Sequence, residues 1–162
     1  MPTERYVFCE YCDDIRQEMF GKLSLIGVYQ NTMNIIGVLP IIVPKFFISA
    51  HIVTPKDKPF LNAKIDLKVN DTIIESITPS SETLMEGQND ALRNPDVRLL
   101  SLRVVIALQP FEVTQSGRLR VQITADGEEF ESNGLIITIH PDPSHLQSQM
   151  GWLHRSDPPS GP

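Results

Sequence analysis

Apolar and polar residues alternate with a period of two along much of the chain. The pattern is clearest at residues 118–125, where Leu119, Val121 and Ile123 alternate with arginine, glutamine and threonine, and it recurs at residues 64–69 and 46–53. Successive side chains of a strand point to opposite faces. The pattern therefore predicts strands with one buried and one solvated face, as in an antiparallel sheet.

Other segments predict further strands without strict alternation. Residues 99–108 and 135–139 are apolar on both faces and rich in β-branched residues, which is typical of central strands. Residues 5–11, 22–29 and 72–77 bring the predicted count to about eight.

Turn residues between these segments favour antiparallel connections. Asp126-Gly127 supplies the positive φ angles of a two-residue type I′ hairpin, and Asn70-Asp71 occupies an equivalent place after residue 69. Many short strands with frequent turns predict an all-β fold, an antiparallel β-sandwich with Greek-key connections of the immunoglobulin or C2 type.

Two segments depart from the strand pattern. Residues 79–95 are polar, and the capping-box spacing of Thr83 and Glu86 predicts a short surface helix, with an irregular loop as the alternative. From Pro141 onward the chain is rich in Pro, Ser, Gln and His and lacks periodicity. We therefore expect a sandwich domain at 1–140 and a flexible tail at 141–162, whose apolar cluster is a candidate docking element: Met150, Trp152 and Leu153.

The charge balance narrows the classes of partner. Twenty acidic residues against 14 Lys and Arg give a formal net charge of −6. A phosphate backbone or an anionic membrane needs a concentrated basic footprint, so we expect neither as a partner. The basic residues that do cluster have acidic neighbours: Arg98, Arg103, Arg118 and Arg120.

The chain start and its apolar runs bear on localisation. The first residues lack the basic and apolar regions of a secretory signal. The longest apolar run, 35–43, contains Gly37 and Pro40 and falls well short of the ~20 residues of a membrane span. We expect a cytoplasmic protein.

Cys9 and Cys12 have the spacing of redox sites and of zinc half-sites. A redox pair belongs at a helix N-terminus and a zinc site needs four ligands, whereas this pair ends a predicted strand and has no second such pair. Residues three apart on a strand point to opposite faces. Four histidines are available as further zinc ligands, two of them in the predicted tail: His51, His140, His145 and His154. We interpret both cysteines as structural thiols, and a thiol enzyme around Cys12 would need a histidine within hydrogen-bond reach, which the sequence does not place.

Carboxylates near the first turn suggest an alternative site. Asp13, Asp14 and Glu18, with Asp57 or Asp126, would gather at one end of a sandwich, where loop carboxylates can bind calcium. The chain has no dense Asp-x-Asp pattern, and a solvated loop explains the same residues. We predict no cofactor or metal.

Residues 12–18 (Cys-Asp-Asp-Ile-Arg-Gln-Glu) and 21–29 (Gly-Lys-Leu-Ser-Leu-Ile-Gly-Val-Tyr) form a recognisable motif, followed by Leu-Pro-Ile-Ile-Val-Pro-Lys-Phe at 39–46. The chain resembles a family of small bacterial and phage-encoded proteins with a domain of unknown function. The resemblance implies a compact β-sandwich and no particular activity. Phe20 departs from the small or polar residue expected before Gly21, and the motif presents a candidate functional surface: Asp13, Asp14, Arg16 and Lys22.

The sequence lacks the motifs GxSxG, HExxH, GxxxxGK and GxGxxG. Our first functional hypothesis is therefore a non-enzymatic interaction or structural module that contacts a protein partner, or a second copy through a sheet edge. One alternative is a small-ligand or calcium-binding sandwich that uses the Asp13/Asp14 end. The other is a hydrolase or thiol enzyme around Cys12.

Overall fold

A computed structural model of the chain describes residues 4–141, so the predicted tail and its apolar cluster lie outside the described residues. The described part consists mainly of strands with one α-helix, which confirms the all-β prediction. The elements in chain order are β1 (Tyr6–Cys12), β2 (Asp14–Gln17), β3 (Leu23–Ile26), β4 (Thr32–Ile36), β5 (Ile41–Val43), β6 (Phe46–Pro55), β7 (Ala63–Val69), β8 (Thr72–Ile77), α1 (Ser81–Arg93), β9 (Leu99–Leu108), β10 (Phe111–Val113), β11 (Gly117–Ala125), β12 (Glu128–Glu131) and β13 (Leu135–His140).

The strands form two main sheets. The first has the order β1-β6-β9. The short strands β5 and β10 pair with each other, and they directly precede β6 and follow β9 in the sequence. The second has the order β4-β13-β11-β7-β8, with β12 also paired to β11. The hairpin β2-β3 forms a separate two-stranded sheet.

A single core lies between the two sheets. Alternate residues of β6, including Ile48 and Ile52, meet alternate residues of the second sheet, including Leu67, Leu119 and Ile123, and all five are at most 2% exposed. Burial of a large aliphatic side chain contributes ~1.5–3 kcal/mol, so this layer stabilises the sandwich and holds both sheets in place. The outward faces remain for other contacts.

The predicted turns are confirmed. Asp126 and Gly127 have φ angles of +50° and +84° and join β11 to β12, while Asn70 has a φ of +53° between β7 and β8. A helix occupies most of the 79–95 segment, but its N-cap is Ser80, whose Oγ accepts the Thr83 backbone N–H at 3.1 Å. The capping residue Ser80 is thus three residues before Thr83, the capping residue that the sequence suggested.

Two strand predictions were wrong in detail. β9 was expected to be central, yet it is the last strand of its sheet, and its apolar inner face includes Leu102, which lies against Gly87 of α1. Between residues 4 and 141 every strand pair is antiparallel except β4 with β13, which runs parallel. The sequence pattern also did not resolve the short strands, because three to five residues carry too little periodicity; these are β2, β4, β5, β10 and β12.

No helix within residues 4–141 is long and apolar enough to cross a membrane.

Candidate functional site

The residues of the candidate functional surface lie on the β1-β2-β3 segment, and the structure gives Asp13 a structural contact. The Tyr29 hydroxyl donates a hydrogen bond of 2.6 Å to Asp13 Oδ1. Gly27, at φ +67°, makes room for this carboxylate, because an added Cβ would lie 2.2 Å from Asp13 Oδ2. The conspicuous motif therefore closes the β2-β3 hairpin back onto β1.

The other residues of that surface make separate contacts. Asp14 Oδ1 accepts the Ile15 backbone N–H at 3.1 Å, and Arg16 Nε lies 3.8 Å from Asp14 Oδ2. Lys22 is exposed. Within residues 4–141 no three His, Cys, Asp or Glu side chains form a group that could hold a metal ion. The structure thus does not bring these carboxylates together as calcium would require.

Asp126, the other suggested carboxylate of a calcium site, has a different role. Its Oδ2 lies 2.7 Å from Arg5 Nη2, and its Oδ1 accepts the Asn62 backbone N–H at 2.9 Å. A carboxylate that is already paired with a guanidinium and a backbone amide has little capacity left for a cation.

Both cysteines are buried, and their side chains lie on opposite faces of β1. Cys9 belongs to the core and pairs with Ala50, whereas Cys12 pairs with Phe47. The pKa of each thiol is raised to about 11, mainly by burial, and for Cys12 the neighbouring Asp13 carboxylate contributes to that rise. Because the thiolate is the nucleophile, this environment opposes the activation that a thiol enzyme needs.

We expect both thiols of the folded protein to react slowly with a disulfide reagent such as DTNB. With a pKa of about 11, only about one thiol in a thousand is ionised at pH 8, against about a quarter for a free cysteine, so the rate should be lower by a hundredfold or more. The rate should rise as the pH increases towards 11. The same protein unfolded in guanidinium should react at both sites at the rate of free cysteine. One fast-reacting thiol in the folded state would contradict the assignment.

A shallow groove of about 510 Å³ runs across the outer face of the first sheet. Its lining follows cross-strand rows: Phe8, His51 and Arg103 form one row, and Tyr6, Val53 and Ser101 form the next. Tyr6 and Phe8 are 42% and 50% exposed. The full lining is Tyr6, Phe8, Glu10, His51, Val53, Leu99, Ser101 and Arg103. We refer to it as the outer groove.

The outer groove holds one pair of ionisable side chains, Glu10 and His51, and one further cation, Arg103. His51 Nε2 lies 3.3 Å from Glu10 Oε2 and 3.5 Å from the hydroxyl of buried Ser49. Both contacts use the same ring nitrogen, whereas a Ser-His-acid triad uses one nitrogen for each partner. Arg103 is exposed and has no ion pair within residues 4–141.

A second apolar feature lies at the turn between β2 and β3. Met19 and Phe20 are 73% and 90% exposed, and Phe20 has left-handed backbone angles of φ 63° and ψ 34°. That conformation costs a non-glycine residue roughly 1–2 kcal/mol. Phe20 is thus both strained and uncovered. We call residues 19 and 20 the hairpin tip.

The sequence analysis did not identify the outer groove, although part of its signal was visible. Tyr6, Phe8 and Glu10 alternate along the first predicted strand. The alternation of His51 with the apolar face of its strand suggested an exposed or edge-facing residue, whereas it is half-buried on the central strand β6. The missing information was strand order. Only the placement of β6 between β1 and β9 puts Phe8, His51 and Arg103 in one row.

These features define an all-β sandwich domain with an open, aromatic-lined sheet face. A family described as "Family of unknown function (DUF6941)" matches residues 8–138, and the chain belongs to this family. The match confirms the predicted domain of unknown function, while a bacterial or phage origin stays a prediction. No curated protein and no solved structure matches the chain.

Proposed function

We propose that the chain is a non-enzymatic protein-interaction module whose binding surface is the outer groove. The observation that carries the proposal is the row of Phe8, His51 and Arg103 on a sheet whose other face is buried in the core. Phe8 presents an exposed ring, and Arg103 is a cation without an ion pair among residues 4–141. Aromatic residues and arginine are enriched at protein interfaces and dominate their binding energy. The core beneath holds the surface rigid, so little conformational entropy is lost on binding.

Several contacts support a binding role over a catalytic one. Glu10 is the one carboxylate in the groove lining, and it is paired with His51, so no second carboxylate is placed to share acid-base work. Ser49 is fully buried, which places its hydroxyl out of reach of a substrate. Neither group has the geometry of an activated nucleophile.

Two edge strands of the described sheets, β1 and β8, offer less to a partner than the outer groove does. The outer edge of β1 is engaged at Cys9, whose backbone N–H donates to Asn133 Oδ1 at 2.7 Å and whose carbonyl accepts from Asn133 Nδ2 at 2.9 Å. The edge strand β8 is irregular, with a register shift between Leu67 and Lys68 of its neighbour. Such features interrupt the ladder of free backbone groups that strand addition needs.

The chemistry of the groove indicates the kind of segment it would bind. Tyr6, Phe8, Val53 and Leu99 provide apolar contact area, and Arg103 offers a bidentate donor for a carboxylate. We therefore expect a partner segment in which a large apolar side chain lies close to an acidic one.

The proposal can be tested by site-specific photo-crosslinking in cells that contain the protein. A photoreactive residue at Phe8 should capture a partner, whereas one at Ile136, which is 44% exposed on the other sheet, should not. The captured protein would be identified by mass spectrometry, purified, and titrated against the wild-type chain and the Arg103→Glu variant. Loss of an arginine hot spot should weaken binding by about tenfold or more.

Two results would contradict the proposal. One is equal capture from the Phe8 and Ile136 positions. The other is an unchanged affinity in the Arg103→Glu variant, provided that its melting temperature shows an intact fold. A matched variant, Arg16→Glu, replaces an exposed arginine outside the groove and should bind like the wild type.

A further inference from the structure

We propose that a second copy of this chain occupies the outer groove by inserting its hairpin tip, Met19 and Phe20. The inference rests on the proposed function of the groove and names its partner. It joins two features of one molecule that are otherwise unexplained, an uncovered apolar tip and an open apolar groove.

The hairpin tip is left largely uncovered by the part of the chain that the structure describes. The β2-β3 ladder ends at the pair Gln17 and Leu23, so the tip projects beyond the last paired residues. Phe20 is 90% exposed, and its left-handed backbone would suit glycine or asparagine at lower cost. Backbone strain of this kind persists where it serves a contact, and Phe20 makes none within its own sandwich that would cover its ring.

The tip and the groove are complementary in chemistry. The groove offers Tyr6 and Phe8 beside Arg103, and the tip offers Met19 and Phe20 directly after Glu18. The Ser24 hydroxyl donates 2.8 Å to Glu18 Oε1, which holds this carboxylate at the base of the tip. An inserted Phe20 ring would contact the groove aromatics while the Glu18 carboxylate approaches the Arg103 guanidinium.

The size of the contact sets the expected strength. Two side chains in a groove of about 510 Å³ bury far less than the ~800 Å² per partner of a standard interface. Association should therefore be weak and concentration-dependent. Two tips exchanged reciprocally would give a closed dimer, whereas a one-way contact would continue from copy to copy.

Sedimentation velocity on the full chain over a wide concentration range tests the proposal. The mass of the wild type should rise with concentration, and Phe20→Asn should remain monomeric with an equal or higher melting temperature, since asparagine tolerates the left-handed conformation. Val38→Ser provides a matched control, because Val38 is an 82% exposed apolar loop residue elsewhere, and this variant should associate like the wild type.

A mixing experiment assigns the two halves of the contact. Phe20→Asn has an intact groove and Arg103→Glu an intact tip, so each alone should be monomeric while a mixture should form a heterodimer. Self-association of Phe20→Asn at the wild-type level would overturn the proposal. A wild type that stays monomeric, but whose Phe8 position captures a different protein, would overturn it and leave the proposed function standing. If the wild type stays monomeric and its Phe8 position captures no protein, both proposals are overturned.

Discussion

Replacement of Arg5 by methionine is expected to lower the free energy of unfolding by about 3–5 kcal/mol, the range for removing one partner of a buried ion pair. The Arg5 side chain is 5% exposed and its Nη2 lies 2.7 Å from Asp126 Oδ2, itself 18% exposed. Methionine keeps much of the aliphatic stem but leaves the Asp126 carboxylate without its counter-charge in a largely desolvated position.

The remaining contacts of Arg5 explain why the effect should be large. Its guanidinium donates to the Thr54 hydroxyl at 3.1 Å and to the Ala125 carbonyl at 3.2 Å, and it lies 4.7 Å above the ring centre of Phe60. The side chain thereby ties the start of β1 to the end of β11. Since Tyr6 follows directly, the same contacts hold one wall of the outer groove.

Equilibrium urea unfolding of the wild type and variants measures this effect. Arg16→Met is the matched control, because the Arg16 side chain is 67% exposed and its ion pair has a distance of 3.8 Å; we expect a change within about 0.5 kcal/mol. Asp126→Asn keeps a residue that tolerates the positive φ, so a double-mutant cycle isolates the coupling. A coupling below about 0.5 kcal/mol would show that the pair is not the source of the stability.

Local signals predicted much of the fold. The Asp126-Gly127 and Asn70-Asp71 turns and the alternation in β7 and β11 depend on neighbouring residues only, and each is confirmed. The edge position of β9 and the parallel pairing of β4 with β13 depend on which strands meet in space. Apolar residues on both faces of β9 suggested a central strand, but its outward-facing residues Ser101, Arg103 and Val105 are exposed, and an apolar pattern does not show which strands lie beside it.

In the candidate site, too, contacts between neighbouring residues could be predicted from the sequence, whereas contacts between distant strands could not. The motif at residues 12–29 drew attention to Asp13, which the structure places against Tyr29 in a structural contact. Arg5 and Asp126 are 121 positions apart, and Phe8 and Arg103 lie on strands separated by most of the domain. Neither pairing leaves a local pattern, because each follows from strand order. The local hints were the alternation of Tyr6, Phe8 and Glu10 and the presence of Phe20, whose residue type is unfavourable for its turn.

Gln88 is a polar residue that is almost fully buried, since it is 1% exposed on the inner side of α1. Its Oε1 accepts the Phe60 backbone N–H at 2.8 Å, and its Nε2 donates to the carbonyls of Phe60 at 3.0 Å and Leu84 at 2.9 Å. One side chain therefore satisfies both backbone groups of Phe60, which lies in the segment between β6 and β7. The amide holds the helix against the loop that carries the ring beneath Arg5.

Replacement of Gln88 by leucine is expected to lower the free energy of unfolding by about 2–6 kcal/mol, since two buried backbone groups would lose their partner at ~1–3 kcal/mol each. Leucine is of similar size, so the loss would report the hydrogen bonds more than a cavity. Gln17→Leu makes the same change at an exposed position and should stay within about 0.5 kcal/mol. Urea unfolding measures both, and amide hydrogen exchange at Phe60 should accelerate in the Gln88 variant alone. Unchanged protection at Phe60 would mean that the helix is held by Leu84 and its apolar neighbours, with the amide contributing little.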